Sequence, residues 1–91
     1  MFYIYVLKSK KDKKLYIGFT SDLRLRLKEH REGLIRSTKC RRPLEFIYCE
    51  IYKNENIARK REGQLKSGKA HMALKKRLLG PSPKALGEGF S

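Results

Sequence analysis

Five residues in this chain have side chains suited to the chemistry of a phosphodiester bond: Tyr5, Tyr16, Arg26, His30 and Glu62. A phenol or an imidazole can orient or deprotonate a water. An arginine can bind a phosphate through two parallel hydrogen bonds, and a carboxylate can hold a divalent cation. Each residue also has a structural explanation when it is taken alone, so the argument depends on their order and spacing.

The two tyrosines lie in short apolar segments, residues 3–5 (Tyr-Ile-Tyr) and residues 16–18 (Tyr-Ile-Gly). Tyrosine is common in central strands, so either residue alone can be purely structural. On the two strands of a hairpin, however, Tyr5 and Tyr16 can lie close together. Free tyrosine has a pKa of about 10, so a tyrosine that acts as a base needs a nearby cation or metal. Gly18 leaves space for a close approach of the backbone to a ligand or for a sharp turn.

Arg26 and His30 are predicted to project from the same side of one helix, because residues four apart are neighbours on a helix surface. They lie at the edge of the face formed by Leu23 and Leu27. Arg26 can bind a phosphate there, or it can be a surface arginine whose stem covers apolar residues. His30 can act at the same site, or it can merely cap the helix end, where an imidazolium is favoured.

Glu62 is the only acid in a basic stretch of a second predicted helix, and Ala58 and Leu65 share its side of that helix. A carboxylate at the border of a buried face and beside a basic site is a suitable ligand for one Mg²⁺ or Mn²⁺ ion. The structural alternative is an ion pair with a neighbouring arginine.

The charge of the chain indicates a polyanionic partner. Its 91 residues include 23 Lys and Arg against 9 Asp and Glu, which gives a net charge of +14. This excess favours nucleic acid over an acidic membrane or protein surface. Two basic segments, one with Lys13 and Lys14 and one with Lys39, Arg41 and Arg42, are predicted to contact phosphates without reading bases.

Other features of the composition narrow the class of protein. Cys40 and Cys49 are too few for a disulfide framework or a four-ligand zinc site, so reduced thiols are predicted. Lys8 comes too early for the apolar core of a signal peptide. No apolar stretch approaches the roughly 20 residues that span a bilayer. We therefore expect a soluble cytoplasmic protein that does not bind membranes.

The pattern of apolar residues, caps and breakers predicts an α+β fold in the order ββαβαα, a three-stranded antiparallel sheet flanked by helices. The predicted strands are Phe2–Leu7, Leu15–Phe19 and Leu44–Tyr52, and residues 8–14 and 32–43 are predicted loops. One predicted helix begins after caps at residues 20–22 and ends at Arg31. A second begins after a cap at residue 54 and ends at Lys66, and a third covers Lys69–Leu79. Residues 1–79 form one domain, and the Gly, Pro and Ser content of residues 80–91 predicts a flexible tail.

These motifs resemble those of the GIY-YIG endonuclease domains, in particular the small single-domain branch. Residues 3–5 take the place of the first motif, with Tyr3 where the family has glycine, and residues 16–18 are the second motif letter for letter. Arg26, His30 and Glu62 stand where the family has its helix motif and its metal-binding glutamate. Residues 37–38 (Ser-Thr), 41–43 (Arg-Arg-Pro) and 65–68 (Leu-Lys-Ser-Gly) also resemble this branch.

The resemblance implies a divalent-metal-dependent DNA endonuclease, with one Mg²⁺ or Mn²⁺ ion held by Glu62 at the scissile phosphate. It implies that Tyr5 is the base that activates water, or the relay to that base. Arg26 would neutralise charge on the phosphate, and Tyr16 and His30 would position water and phosphate. The implied setting is DNA repair or recombination, with selectivity for a DNA structure.

Two departures from the family keep an alternative open. Phe19 stands where repair-type members carry a lysine after the second motif, and no asparagine follows Asn56, although several homing-type members use a late one near the site. The alternative is a catalytically weak nucleic-acid-binding module with the same fold, and a basic structural or membrane-associated protein is a more distant third. A domain this small has little surface for reading bases, so specificity is expected from DNA shape or from a protein partner. We expect the protein itself to be a monomer.

Overall fold

The computed structural model describes residues 1–80, which form a three-stranded antiparallel sheet with strand order β2-β1-β3. The strands are β1 (Phe2–Ser9), β2 (Leu15–Thr20) and β3 (Leu44–Tyr52). The helices are α1 (Leu23–Arg31), α2 (Arg36–Lys39), α3 (Glu55–Lys66) and α4 (Gly68–Leu79). The predicted α+β fold and the order ββαβαα are therefore confirmed, with the short α2 in addition. Apart from Gly80, the predicted tail lies outside the described residues.

The central strand β1 is buried on both faces of the sheet, as its continuous apolar sequence predicts. On one face, Ile4 and Val6 pack in the apolar core with Leu65 of α3 and Leu74 of α4. Because side chains alternate along a strand, Tyr5 points to the opposite face. The sheet thus separates a layer formed by α3 and α4, which holds the core, from a layer that contains Tyr5.

The helix boundaries follow local hydrogen bonds that the sequence predicts. The side chains of Asp22 and Asn54 cap α1 and α3, each accepting a hydrogen bond from an amide in the first turn, at 3.1 and 3.0 Å. After α1, Gly33 has a φ of +79° and its amide donates to the carbonyl of His30 at 3.2 Å. This left-handed residue ends the helix in the manner of a Schellman motif.

Two predictions differ from the structure by more than one residue. The predicted loop 32–43 contains α2, which forms because Thr38 is buried and contacts His30, a tertiary interaction that sequence propensity does not report. Strand β1 extends to Ser9 and not only to Leu7, since Ser9 pairs with Leu44 at the start of β3. The hairpin loop therefore narrows to residues 10–14.

None of the helices within residues 1–80 is long and apolar enough to cross a bilayer. Cys40 and Cys49 are both free thiols, as predicted; Cys40 is exposed and Cys49 is partly buried in β3.

Candidate active site

Tyr5, Tyr16 and His30 form one cluster on the face of the sheet away from the apolar core. The rings of Tyr5 and Tyr16, on neighbouring strands, have centroids 6.3 Å apart. The ring of His30, from α1, lies edge-on to both, with centroid distances of 5.4 Å to Tyr5 and 5.2 Å to Tyr16. The Tyr5 hydroxyl and His30 Nε2 are 2.7 Å apart. The structure thus brings three of the five sequence-predicted residues together.

Gly18 provides the space that the Tyr5 ring occupies. The two residues are direct cross-strand partners, and a Cβ on Gly18 would overlap the Tyr5 hydroxyl and its ring carbon Cζ. The interpretation that Gly18 admits a ligand or a turn is therefore wrong, because the phenol fills the space and β2 continues to Thr20. Any side chain at this position would push the Tyr5 ring away from His30.

Thr38 completes the cluster, although its residue type and spacing predict no role for it. His30 is 1% exposed, and its Nδ1 lies 2.7 Å from the hydroxyl of Thr38, which is fully buried. That hydroxyl also lies 3.5 Å from the carbonyl of Ile35, at the long limit for a hydrogen bond. When the hydroxyl donates to this carbonyl, it accepts the Nδ1 proton, and His30 Nε2 is left to accept from Tyr5. The only sequence signal for Thr38 was the resemblance of residues 37–38 to the single-domain branch.

Burial sets the protonation states of the cluster. Burial, together with the neighbouring Tyr16, raises the pKa of Tyr5 well above its usual value, although the Arg26 cation acts in the opposite direction. Burial, and then the Arg26 cation, lower the pKa of His30 below that of a free imidazole. At neutral pH Tyr5 is therefore a phenol and His30 a neutral imidazole. This agrees with a hydrogen bond donated by the Tyr5 hydroxyl to Nε2.

Arg26 lies one turn before His30 on α1 and extends the cluster toward the surface. Its side chain is 41% exposed and contacts Glu29 through Nη1 alone, at 3.4 Å. Its charge acts on both Tyr5 and His30, as the causes of their shifted pKa values show. The guanidinium is partly exposed, and only one of its nitrogens makes the long ion pair. Its remaining donors can therefore bind a phosphate.

Glu62 lies on α3 and does not join the cluster. Its side chain is 18% exposed and pairs with Lys66 at 3.0 Å, so the partner is a lysine one turn later and not the arginine of the structural alternative. On the same side of α3, Ala58 and Leu65 are buried, so this side faces the sheet. Within residues 1–80, no hydrogen bond or ion pair joins Glu62 to the tyrosine cluster.

Helix α3, which carries Glu62, and the Tyr5 side chain lie on opposite faces of the sheet. Helix α3 packs on the face of Ile4 and Val6, whereas Tyr5 points to the other face. The border between the two faces is the edge strand β2, which α3 contacts. Across residues 1–80, no group of three His, Cys, Asp or Glu side chains is placed to hold a metal. A single carboxylate nevertheless fits Mg²⁺, which keeps several waters and takes one or two carboxylates together with substrate phosphates.

The two basic segments predicted to contact nucleic acid form one surface, residues 10–14 with residues 36–42, which we call the basic end. The hydroxyl of Ser9 donates to the carbonyl of Arg41 at 2.7 Å, and the amide of Lys10 donates to the carbonyl of Pro43 at 2.9 Å. The ammonium of Lys11 donates to the carbonyl of Cys40 at 3.3 Å. These contacts hold the hairpin loop against the segment that follows α2.

The arginines of the basic end are partly occupied within the protein. The guanidinium of Arg42 donates to the carbonyls of Lys39 and Arg31 at 3.0 and 3.3 Å, and Arg41 pairs with Asp12 at 3.4 Å. The side chains of Lys13, Lys14 and Lys39 are exposed, and they are the predicted contact residues most open to a polyanion.

The three-stranded sheet with its flanking helices is consistent with the fold of a GIY-YIG domain. The sequence model of the GIY-YIG catalytic domain matches residues 1–76. The chain belongs to the GIY-YIG family.

Its relatives are small proteins of similar length. It is 36% identical over 74 residues to UPF0213 protein SSP2268 of Staphylococcus saprophyticus, covering 80% of this chain and 89% of the relative. It is 39% identical over 67 residues to UPF0213 protein CPE1444 of Clostridium perfringens, covering 72% and 71%. Among solved structures, it resembles the solution NMR structure of UPF0213 protein BH0048 of Bacillus halodurans, with a TM-score of 0.54 and 26% identity over 92% of this chain and 90% of that one.

Proposed function

We propose that this protein is a divalent-metal-dependent endonuclease that hydrolyses phosphodiester bonds in DNA. Membership of the GIY-YIG family supports the nuclease class. The observation that carries the proposal is the chain of hydrogen bonds from Tyr5 through His30 to Thr38, which begins beside the Arg26 cation. Such a chain of donors and acceptors is suited to removing a proton from an attacking water.

In this proposal Tyr5 is the relay and His30 is the base. The attacking water gives a proton to the Tyr5 oxygen while the Tyr5 proton moves to His30 Nε2, 2.7 Å away. Thr38 holds the Nδ1 proton, so the imidazole is in the tautomer that can accept. A base with a lowered pKa is ready to accept a proton at neutral pH, whereas a phenol with a raised pKa is not ionised at the start.

Tyr16 and Arg26 receive the substrate in this account, because both side chains are partly exposed, whereas Tyr5 is only 1% exposed. The guanidinium of Arg26 neutralises charge that develops on the phosphate, and the Tyr16 hydroxyl positions the water. The water reaches the Tyr5 oxygen only when the cluster opens on substrate binding. We therefore assign to substrate binding a small movement of the Tyr5 and Tyr16 side chains.

Glu62 is the residue proposed to hold one Mg²⁺ or Mn²⁺ ion. Its carboxylate is partly buried and its partner Lys66 is itself half exposed, so a cation can replace the lysine at little cost. A bound ion would supply positive charge for the leaving oxygen, and the Lys66 ammonium would then face the solvent or the DNA.

The remaining features of the proposal concern the setting of the reaction. The net charge of +14 and the exposed lysines of the basic end support binding to the phosphate backbone of DNA. We propose a cytoplasmic monomer that acts on structured DNA formed in repair or recombination. DNA shape or a protein partner supplies the specificity that a surface of this size does not.

A catalytically weak nucleic-acid-binding module is the second candidate. Two observations favour it: Tyr5 is almost fully buried, and Glu62, on a helix that packs against the other face of the sheet, is paired with Lys66. Both candidates bind DNA, so only a cleavage assay separates them.

The deciding experiment incubates the purified protein with supercoiled, branched and single-stranded DNA, in Mg²⁺, in Mn²⁺ and in EDTA. The nuclease proposal expects products with either metal and none in EDTA. Binding without cleavage on all three substrates would leave the binding module as the function.

A further inference from the structure

A basic cleft lies between the β1–β2 hairpin and α4, on the opposite face of the sheet from the candidate active site. Its volume is about 370 Å³, and it is lined by Asp12, Lys13, Lys14, Leu15, His71 and Lys75. Leu15 packs against the apolar core on the side of α3 and α4. The next residue, Tyr16, belongs to the tyrosine cluster on the other face.

The α4 wall of the cleft is oriented by the break between α3 and α4. Gly68, with a φ of +70°, starts α4 in a new direction. His71 Nδ1 then donates to the carbonyl of Leu65 at 2.9 Å, which holds the imidazole against the end of α3. Because Nδ1 carries this proton, Nε2 is the nitrogen left for a ligand. Lys75 follows one turn later on the same side of α4.

The hairpin wall is held by its own backbone. The amide of Lys13 donates to the carbonyl of Ser9 at 2.8 Å, and that of Ser9 to the carbonyl of Lys14 at 2.9 Å. Asp12 is the one acid that lines the cleft. It accepts from the Lys14 amide at 2.9 Å and pairs at 3.4 Å with Arg41 of the segment that follows α2, so its charge is compensated outside the cleft lining. Three lysines therefore dominate the charge of the cleft.

We propose that this cleft binds a backbone phosphate of DNA, a few nucleotides from the phosphate at the candidate active site. The identity of the polymer rests on the proposed function. The two sites are joined by consecutive residues of β2, Leu15 and Tyr16, whose side chains point to opposite faces. Strand β2 is an edge strand in the described part of the chain, so one DNA strand can follow this edge and present phosphates to both faces.

Because Leu15 and Tyr16 are consecutive residues of β2, the cleft and the tyrosine cluster adjoin the same short segment of this strand. The cleft fixes the DNA by charge alone and reads no base.

The test compares Lys75→Gln with Lys76→Gln. Lys76 is the next residue of α4, is exposed as Lys75 is, and does not line the cleft. Both changes remove one charge from the same helix, so they alter net charge and helix propensity equally. Lys14→Gln removes a charge from the opposite wall. Affinity for a short duplex is measured against salt concentration in EDTA, where no cleavage occurs.

We expect Lys75→Gln and Lys14→Gln each to lower the salt slope by about 0.9 and the affinity at 0.1 M salt by about 5- to 10-fold, the effect of one lost phosphate contact. Lys76→Gln should change affinity less than about 2-fold, as an exposed charge without a contact does. Equal effects of Lys75→Gln and Lys76→Gln would overturn the proposal. Because binding is measured without metal, this outcome is independent of whether the protein cuts DNA.

A second measurement identifies the ligand. The imidazole signals of His71 are followed by NMR during addition of duplex DNA or of inorganic phosphate. We expect DNA to saturate the shift of the His71 signals at a far lower concentration of phosphate groups than inorganic phosphate does. Shifts that occur with inorganic phosphate and not with DNA would show a site for small anions and would overturn it.

Discussion

The Tyr5 hydroxyl lies 2.7 Å from His30 Nε2, and both side chains are almost completely buried. This pair links two sequence motifs that are far apart in the chain. The raised pKa of Tyr5 and the lowered pKa of His30 keep both groups neutral, so the phenol donates the hydrogen bond and the imidazole accepts it.

Thr38→Val should reduce cleavage by about tenfold and make the protein less stable. The change removes the oxygen that accepts the His30 Nδ1 proton, leaving a buried donor unpaired at a cost of about 1–3 kcal/mol. It also allows His30 to change tautomer, so the apparent pKa on the acid side of the pH–rate profile should shift. Thr38→Ser keeps the hydroxyl and should preserve both rate and profile. An unchanged profile in Thr38→Val would contradict the positioning role.

Gly18→Ala should abolish cleavage and destabilise the fold, because its Cβ overlaps the Tyr5 ring. Gly63→Ala is the matched control. Nothing lies within 4 Å of a Cβ at Gly63, which is in the middle of α3. That change should stabilise the protein by about 0.5–1 kcal/mol and leave cleavage intact. Urea unfolding and a plasmid assay measure both effects. If Gly18→Ala cuts DNA normally, the Tyr5–His30 geometry is not required.

The ionised carboxylate of Glu50 should make the free energy of unfolding depend on pH. Its carboxylate accepts from the hydroxyls of Tyr48 and Tyr52 at 2.6 and 2.7 Å and from the Arg61 guanidinium at 3.0 and 3.1 Å. Burial alone would raise the pKa of Glu50, but these four hydrogen bonds outweigh it and lower the pKa to about 2.

Because the folded-state pKa of Glu50 lies below that of the unfolded chain, its contribution is complete above pH 4.5 and is lost as pH falls toward 2. We expect Glu50→Gln to lose about 2–3 kcal/mol at pH 7 and to approach the native protein near pH 2. Urea unfolding between pH 2 and 7 measures the difference. A difference that is constant across this range would contradict the assignment.

The sequence predicts the parts of this protein that depend on local pattern. The continuous apolar run of β1 indicated a strand buried on both faces, and Asp22, Asn54 and Gly33 marked helix ends through hydrogen bonds within a few residues. The grouping of Tyr5 with Tyr16 also followed from pattern, since a hairpin pairs its strands in a fixed register.

The parts it did not predict depend on contacts between distant residues. Helix α2 has only four residues and forms through the contact of Thr38 with His30. The helical pattern around Glu62 showed which side of α3 is buried, but not which face of the sheet that side would cover. The hydrogen bonds from Arg42 to two backbone carbonyls depend on the conformation of a loop, and no periodic sequence pattern predicts that conformation.

Arg26→Lys should reduce cleavage by about 100-fold, comparable to losing one preorganised donor, with little change in DNA affinity. Lysine keeps the charge but not the planar pair of donors that matches a phosphate. Arg24→Lys makes the same change at an exposed position of α1 outside the cluster and should leave cleavage unchanged. Single-turnover rates on one substrate compare the two. Near-normal rates in Arg26→Lys would make Arg26 a surface cation.

The most direct measurement is the Mg²⁺-dependent cleavage rate of Glu62→Gln beside that of the native protein. The change keeps the size of the side chain and removes the charge that would hold the ion, and the lost pair with exposed Lys66 costs little stability. Glu55→Gln, which breaks the exposed pair with Arg59 on the same helix, is the control.

We predict that Glu62→Gln binds DNA as tightly as the native protein, or slightly more tightly, and cuts it slower by several orders of magnitude, whereas Glu55→Gln cuts normally. Metal-dependent cleavage by Glu62→Gln at the native rate, or its absence from the native protein on every DNA, would contradict the account.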